Sequence, residues 1–362
     1  MHGAGLARRA ARGVEPTMHM ADALISPAVG GSLWIVSGGM LAICARRPEP
    51  AARENLVPLM GVLGAFVFAA QMVNFSIPWT GSSGHLGGGL LLAILLGPSA
   101  AFLVMASVLT VQALFFADGG LLALGGNIFN LGFFPAFVAY PLLYRPLAGL
   151  RPGSPRAWSA ALLAAITGLQ LGALSVVLET LASGISELPF GMFVMMMLPI
   201  HLAIGVVEGL ATAAVVSFVA RARPEALPAA PAAGAVVNLR PVLIGLASIA
   251  VVLGGVASWF ASTHPDGLEW SIARVTGQGE VSSSKAGIHK NLADLQKKTA
   301  FLPDYGFKAT AAEPVPAEHA APAPKPWPAV NAGTSVAGIV GGLLTLVLAG
   351  LAGVALKMRA GH

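Results

Sequence analysis

Three of the eight histidines stand where they could hold a metal ion. His19 lies in Met18-His19-Met20-Ala21-Asp22-Ala23-Leu24-Ile25-Ser26-Pro27, immediately before the first apolar stretch. His85 lies in Ser82-Ser83-Gly84-His85-Leu86-Gly87-Gly88-Gly89, just before a short apolar stretch. His201 and Glu208 are seven apart within a longer one, on one helical face two turns apart. His2, His264, His289, His319 and His362 fall in the termini or in a long polar loop and read as solvated surface. Two imidazoles at one end of a bundle, beside glycine-rich backbone, can share a divalent ion. They can equally be interfacial side chains bonded to loops.

The chain end bears on that choice. If Met18 is the amino terminus, its amine, the His19 amide nitrogen and the His19 imidazole can close two adjacent chelate rings around one ion. His85 supplies a fourth nitrogen. Four nitrogens in a plane suit Ni(II) or Cu(II), and Co(II) can be accommodated. Ligation by an amide nitrogen requires its deprotonation, so binding depends on pH and favours ions late in the first transition row. An acylated Met18 would be a far poorer donor. Asn74, Asn127 and Asn130 are candidates for orienting the ligating groups, with helix–helix hydrogen bonding as the alternative. His201 and Glu208 are candidates for metal passage or partner contact, with packing and hydrogen-bond pairing as the alternative. Glu179 lies nearer the outer end of its stretch. No G-x-x-x-x-G-K-[ST], H-E-x-x-H or G-x-S-x-G occurs, so neither a P-loop nor a simple hydrolase reading fits. The charged relays of a self-powered pump are missing, which points to a motor on another protein.

The elements that must position these groups are membrane helices. Of 362 residues, 56% are hydrophobic and 37 are charged, 21 basic and 16 acidic. That 10% charge compares with about 25% in soluble domains. A mean hydropathy of +0.76 excludes a soluble globule, a coiled coil and a disordered chain. The formal charge of +5, carried on loops, gives no nucleic-acid footprint. Cys44 alone permits neither an internal disulfide nor a cysteine metal cluster. Apolar stretches free of Lys and Arg run over 28–45, 57–75, 86–116, 121–144, 157–182, 190–220, 241–261 and 334–356. Gly97-Pro98 divides the third into a short helix over 86–96 and a full one over 98–117. The fold class is therefore all-α, a polytopic transmembrane bundle of about nine hydrophobic helices, one of them short.

Basic residues follow the first helix (Arg46, Arg47, Arg53), the fifth (Arg145, Arg151, Arg156), the seventh (Arg221, Arg223, Arg240) and the last (Lys357, Arg359). The connections 75–85, 117–120 and 183–189 have none. The positive-inside bias puts the start of helix 1 outside and the carboxyl terminus in the cytoplasm. The loop 262–333 falls outside, and long loops cross largely regardless of charge. Residues 1–17 conflict with this map through Arg8, Arg9 and Arg12, and they lead into no secretory h-region. The reading favoured is a start at Met18, with removal or tolerance of 1–17 as alternatives. Residues 221–240 form a Pro/Ala-rich linker, and 309–332 an extended Pro/Ala tether. Residues 283–300 could form one amphipathic helix. Gly168-x-x-x-Gly172 and Gly338-x-x-x-Gly342 allow close helix packing.

Met18-His19-x-x-Asp22…Ser26-Pro27 resembles the amino terminus of the CbiM/NikM family, the substrate-specific membrane components of energy-coupling-factor transporters for cobalt and nickel. Gln71-Met72-Val73-Asn74-Phe75, Ser83-Gly84-His85-Leu86, Leu95-Leu96-Gly97-Pro98, Phe116-Ala117-Asp118-Gly119-Gly120 and Leu124-Gly125-x-Asn127 are similar to that family, in the same order. His264-Pro265-Asp266-Gly267-Leu268-Glu269-Trp270 resembles the PDGLE motif of the small CbiN/NikN component, which has two spans and an outer loop. That motif is assigned here to docking or loop shaping rather than to the high-affinity site. The resemblance implies a metal-binding unit over 18–220, the linker 221–240 and a PDGLE unit over 241–358. It implies Met18, His19 and His85 as metal ligands for Ni2+ or Co2+, carried as substrate, with no organic cofactor. Asn74, Ser83, Asn127, His201 and Glu208 are the accessory candidates. A family Gly-aromatic pair is replaced by Ala23-Leu24, which allows the loop after His19 a different path. The implied setting is the plasma membrane, with a CbiQ/NikQ-type coupling protein and a CbiO/NikO-type ATPase, so ATP hydrolysis lies on other subunits. The implied role is metal supply for cobalamin synthesis or nickel enzymes. The alternative is a self-contained secondary metal permease. A membrane metalloenzyme using His85 and His201 lacks a nearby catalytic acid.

Overall fold

The computed structural model describes residues 18–46, 56–149, 151, 153–186, 188–222, 238–277, 286–308 and 327–360. The expected extension 1–17, most of the linker 221–240 and most of the tether 309–332 lie outside the described residues. So do His2, His319, His362, Arg47, Arg53 and Arg223.

The described residues are helical almost throughout, as a backbone in hydrocarbon must be to satisfy its own hydrogen bonds. Helix α1 is Pro27–Cys44 and α2 is Leu56–Gln71. A small antiparallel hairpin, β1 Phe75–Ile77 and β2 Ser82–Gly84, pairs Phe75 with Gly84 and Ile77 with Ser82. Then come α3 Gly89–Leu96, α4 Pro98–Phe116, α5 Leu124–Ala148, α6 Pro155–Ser183 and α7 Phe190–Ala222. The second part holds α8 Arg240–Gly255, α9 Gly267–Thr276, α10 Gly287–Thr299 and α11 Ala332–Ala360.

Six of these helices are long and apolar enough to cross a membrane: α1, α4, α5, α6, α7 and α11. Helices α2 and α8 have 16 residues each, shorter than the expected stretches 57–75 and 241–261. In α2 the cause is the hairpin, which takes over the chain just after Asn74. Helix α8 stops at Gly254-Gly255 and passes into a tight turn over Ala257–Phe260.

Helix α4 is the axis of the bundle, with 83% of its most apolar window buried, against 17% for α1. The division of 86–116 falls where expected: Gly97 adopts φ +90° and Pro98 opens α4. Helix α3, eight residues and all buried, packs beside it. Ser26 caps α1 and Ser154 caps α6, each accepting from a backbone N–H three residues on, with proline next in line. Pro135 and Pro141 lie inside α5, where the turn is widened over Phe129–Tyr144, because each proline removes a backbone donor.

Small residues let the helices approach. A Cβ on Gly172 would lie 3.0 Å from the Asn130 carbonyl, and one on Gly61 would lie 2.9 Å from the Leu346 carbonyl. A Cβ on Gly338 would overlap the Gly254 backbone, whereas one on Gly342 would have ordinary contacts near 3.9 Å. Of the two glycines in that spacing, only Gly338 brings backbones together. The amphipathic helix expected over 283–300 is present as α10. One expectation fails here: His289, on α10, is 7% exposed and not solvated surface. Leu292, one turn on, seats α10 against the apolar clusters, and this draws His289 under cover.

Gly338→Val should destabilise the protein by about 1–3 kcal/mol through overpacking of α8 on α11. Gly342→Val should change little, and equal melting temperatures for both variants in detergent would contradict this packing.

Candidate metal centre

The segment before α1 is bound edge-on to the turn after α4. The Met20 carbonyl accepts from Gly120 N at 3.0 Å and from Asn127 Nδ2 at 3.1 Å. Asn127 Oδ1 in return accepts from Met20 N at 3.2 Å, so one carboxamide fixes both backbone groups of Met20. Asp22 Oδ1 accepts from Leu122 N at 2.8 Å and Ala123 N at 2.9 Å. Gly119 sits at φ +79°, and a Cβ on it would come within 2.9 Å of His19 Cβ. The Asp118-Gly119-Gly120 spacing is thus what lets residues 18–22 lie flat on this turn.

That seating buries His19 at 4% exposure and Asp118 at 4%. Asp118 Oδ1 accepts from Met18 N at 2.8 Å and lies 3.2 Å from His19 Nδ1. Asp118 Oδ2 accepts from the Tyr305 hydroxyl at 2.6 Å. Burial by itself would raise this carboxyl, but the adjacent His19 ring and the Tyr305 hydroxyl hold it below the usual carboxylate range. Burial, with the Asp118 charge beside it, pushes the Tyr305 hydroxyl well above its ordinary value, so it stays a donor.

His85 comes from the far end of the β1–β2 hairpin. Its ring lies 5.4 Å from that of His19, centroid to centroid. Its Nδ1 and Nε2 lie 3.2 Å from the Leu86 and Met18 carbonyls. Burial, then the neighbouring His19, lowers its pKa and favours the neutral ring. A neutral imidazole donates to only one of those carbonyls. With the proton on Nδ1 toward Leu86, the Nε2 lone pair is left for a cation. The turn behind His85 is held by α7: Glu208 accepts from Gly87 N at 2.7 Å and Gly88 N at 3.1 Å. Gln71 Nε2 donates to the Gly87 carbonyl at 2.8 Å, and Gln112 Nε2 donates to Gln71 Oε1 at 2.8 Å.

A cavity of about 80 Å³ opens beside these groups, lined by Met18, His19, His85, Asn127, His201 and Asp266 among others. Met18, His19, His85, Asn127 and His201 are therefore brought together around one cavity. His201 Nδ1 lies 2.8 Å from the Met197 carbonyl. Three accessory candidates go elsewhere. Glu208 does not line the cavity; it holds the His85 turn from behind. Ser83 donates from Oγ to the His264 carbonyl at 2.8 Å and faces the second unit. Asn74 lines a separate, wider cleft of about 950 Å³. Glu179 accepts from Asn130 Nδ2 and Ser175 Oγ, both at 3.0 Å, a structural pairing within the bundle.

The Pro265–Glu269 turn docks on the hairpin that carries His85. Ser83 N donates to the Pro265 carbonyl at 2.7 Å, and Trp270 Nε1 donates to the Thr80 carbonyl at 3.0 Å. Asp266 caps α9 by accepting from Glu269 N at 2.9 Å. It also lines the cavity. Burial pushes its carboxyl up to about 7. Met18 and Asp266 line both the cavity and the wider cleft and so stand between them.

Among the described residues no three His, Cys, Asp or Glu side chains form a group that could hold a metal. The sequence reading missed Asp118, Tyr305, Gln71 and Gln112 as site residues. Asp118 carried a signal, as the one acid in a turn free of cations; Tyr305 carried none.

Residues 19–226 match the CbiM family, described as the cobalt uptake substrate-specific transmembrane region, and 240–358 match the PDGLE domain. A candidate fused nickel transport protein, NikMN, of Archaeoglobus fulgidus is 34% identical over 335 residues, 91% of this chain and 96% of that relative. A candidate metal transport protein of Haloquadratum walsbyi is 36% identical over 208 residues, 58% of this chain and 92% of that one. The crystal structure of a truncated transition metal transporter is 29% identical, covers 57% of this chain and 99% of its own, and has a TM-score of 0.49.

Glu208→Ala should leave Gly87 N and Gly88 N bare at about 1–3 kcal/mol each. The readouts are a lower melting temperature and faster amide exchange at those two glycines. Unchanged exchange there would mean that Glu208 does not hold the turn.

Proposed function

This chain belongs to the CbiM cobalt-uptake family, with a PDGLE unit fused behind it, and from that premise we propose that it captures Ni2+ or Co2+ at the outer membrane face and passes it inward, driven by partner ATPases. It is a multi-pass membrane protein and a metal-transport component. The finer reading assigns 18–220 to metal binding, 221–240 to a linker and 241–358 to the PDGLE unit. It sets the start of α1 outside, the ends after α1, α5, α7 and α11 in the cytoplasm, and the membrane as the plasma membrane.

The observation that carries the proposal is the convergence of Met18 N, His19 and His85 at one end of the bundle, with the two rings 5.4 Å apart. In this reading the Met18 amine, the His19 amide nitrogen and imidazole, and His85 Nε2 surround one cation. The donor set is all nitrogen and suits late first-row ions. A free amine at Met18 is part of the reading, and amino-terminal sequencing of the mature protein tests it. His201 lines the same cavity and is, in this reading, the next group a metal would meet on its way in. The chain offers no P-loop, so a CbiQ/NikQ-type coupling protein and a CbiO/NikO-type ATPase supply the energy. The metal then serves cobalamin synthesis or nickel enzymes.

His19→Ala and His85→Ala should each abolish uptake of radiolabelled Ni2+ and Co2+ in cells expressing the complete transporter, with the protein still in the membrane. Wild-type uptake by both would remove the site. Uptake that persists without the ATPase and collapses with the proton gradient would instead assign a self-contained permease.

A further inference from the structure

We propose that Asp118 is the positioning residue of this metal site and that Tyr305, from the outer loop of the PDGLE unit, sets Asp118. The proposal rests on the reading of Met18, His19 and His85 as the metal donors, and goes beyond it by assigning what holds them before a metal arrives.

Three observations carry it. First, one carboxylate oxygen addresses two of the proposed donors at once: Oδ1 is 2.8 Å from Met18 N and 3.2 Å from His19 Nδ1. These atoms are the outer two of the chelate, with the His19 amide nitrogen between them along the chain. Without such a bridge, an amino-terminal residue and a histidine ring have several free torsions each. Fixing them beforehand removes an ordering cost that metal binding would otherwise bear. Second, the other oxygen is claimed by a residue 187 positions away, through the 2.6 Å bond from Tyr305. An O–H to a carboxylate at that distance is a charge-assisted bond, stronger than a neutral one.

Third, Tyr305 is itself held in place. Its ring stacks on Phe116 with centroids 5.0 Å apart and 16° between planes, just before the Asp118 turn. Asp304 and Tyr305 both adopt positive φ, 52° and 58°, which non-glycine residues rarely take. Such backbone persists where the surroundings over-determine it, and here it aims the phenol at Asp118. Gln296, on α10, donates to the Gly119 carbonyl at 2.7 Å, so the same outer loop grips the Asp118 turn twice. When a cation enters, it meets Met18 and His19 nitrogens already set side by side. Asp118, kept by Tyr305, stays beside the site as a compensating negative charge and is not itself a ligand.

The test uses the full chain in detergent, titrated with NiCl2 by calorimetry and followed by the ligand-field absorption of bound Ni2+. Asp118→Ala should weaken binding about tenfold or more, the range for residues that orient metal ligands, with the absorption band unmoved. Tyr305→Phe should weaken it less, and the double variant should be no worse than Asp118→Ala alone, because the two act in series. Tyr305→Phe removes one oxygen only and carries the test if Asp118→Ala does not fold. Wild-type affinity in either single variant, with binding abolished in His85→Ala, would overturn the proposal and leave the site standing. A shifted band in Asp118→Ala would make Asp118 a ligand and overturn its positioning role. Additive losses in the double variant would break the link to Tyr305. Wild-type affinity in His85→Ala would overturn the underlying site reading instead.

Discussion

The seating of residues 18–22 on the turn after α4 is the contact on which the site depends. It is made of short-range bonds between main chain and two side chains, Asn127 and Asp22, with Gly119 and Gly120 leaving room. Unseated, His19 would hang from the end of α1 with no fixed relation to His85. Seated, it is covered, and the apolar residues around it, Met20, Leu24 and Ile25, join a cluster with Leu122, Val177 and Phe193. Burial of those side chains stabilises the arrangement. The hydrogen bonds decide which of several apolar arrangements is adopted.

Three of the buried acids are held by the main chain. Asp22 accepts from two backbone N–H groups, Glu208 from two and Asp266 from one, and none of these bonds involves a lysine or arginine. Burying a charge without such partners costs heavily, and a backbone amide supplies the partner without importing a second charge. Each acid therefore shapes a loop: Asp22 the turn after α4, Glu208 the turn bearing His85, Asp266 the start of α9. The site is made of loops, yet these bonds to helix side chains and helix ends hold it.

The PDGLE unit belongs to the same arrangement. Helix α11 packs closely on α2 and α8 through Gly61 and Gly338, while the Pro265–Glu269 turn bonds to the hairpin and Tyr305 reaches Asp118. Both histidine-bearing loops thus have a partner from the second part of the chain. Fusion of the two units keeps those partners at hand, since a linked segment docks at a high effective concentration.

The amino-acid sequence by itself determined the helical class, the division at Gly97-Pro98 and the amphipathic α10, and it singled out Met18, His19 and His85 as candidate donors. These follow from hydropathy, from the chemistry of proline and from the donor types, all local properties. His289 went the other way, because its cover comes from a docking that helical periodicity does not describe. Tertiary structure alone decided the ends of α2 and α8, the diversion of Ser83 and Asn74 from the cavity, the place of Glu208 behind His85 and the meeting of Tyr305 with Asp118. Each of those depends on which distant segment comes to lie alongside. Contacts across a hundred or more residues are set by how helices pack, and no spacing along the chain records them.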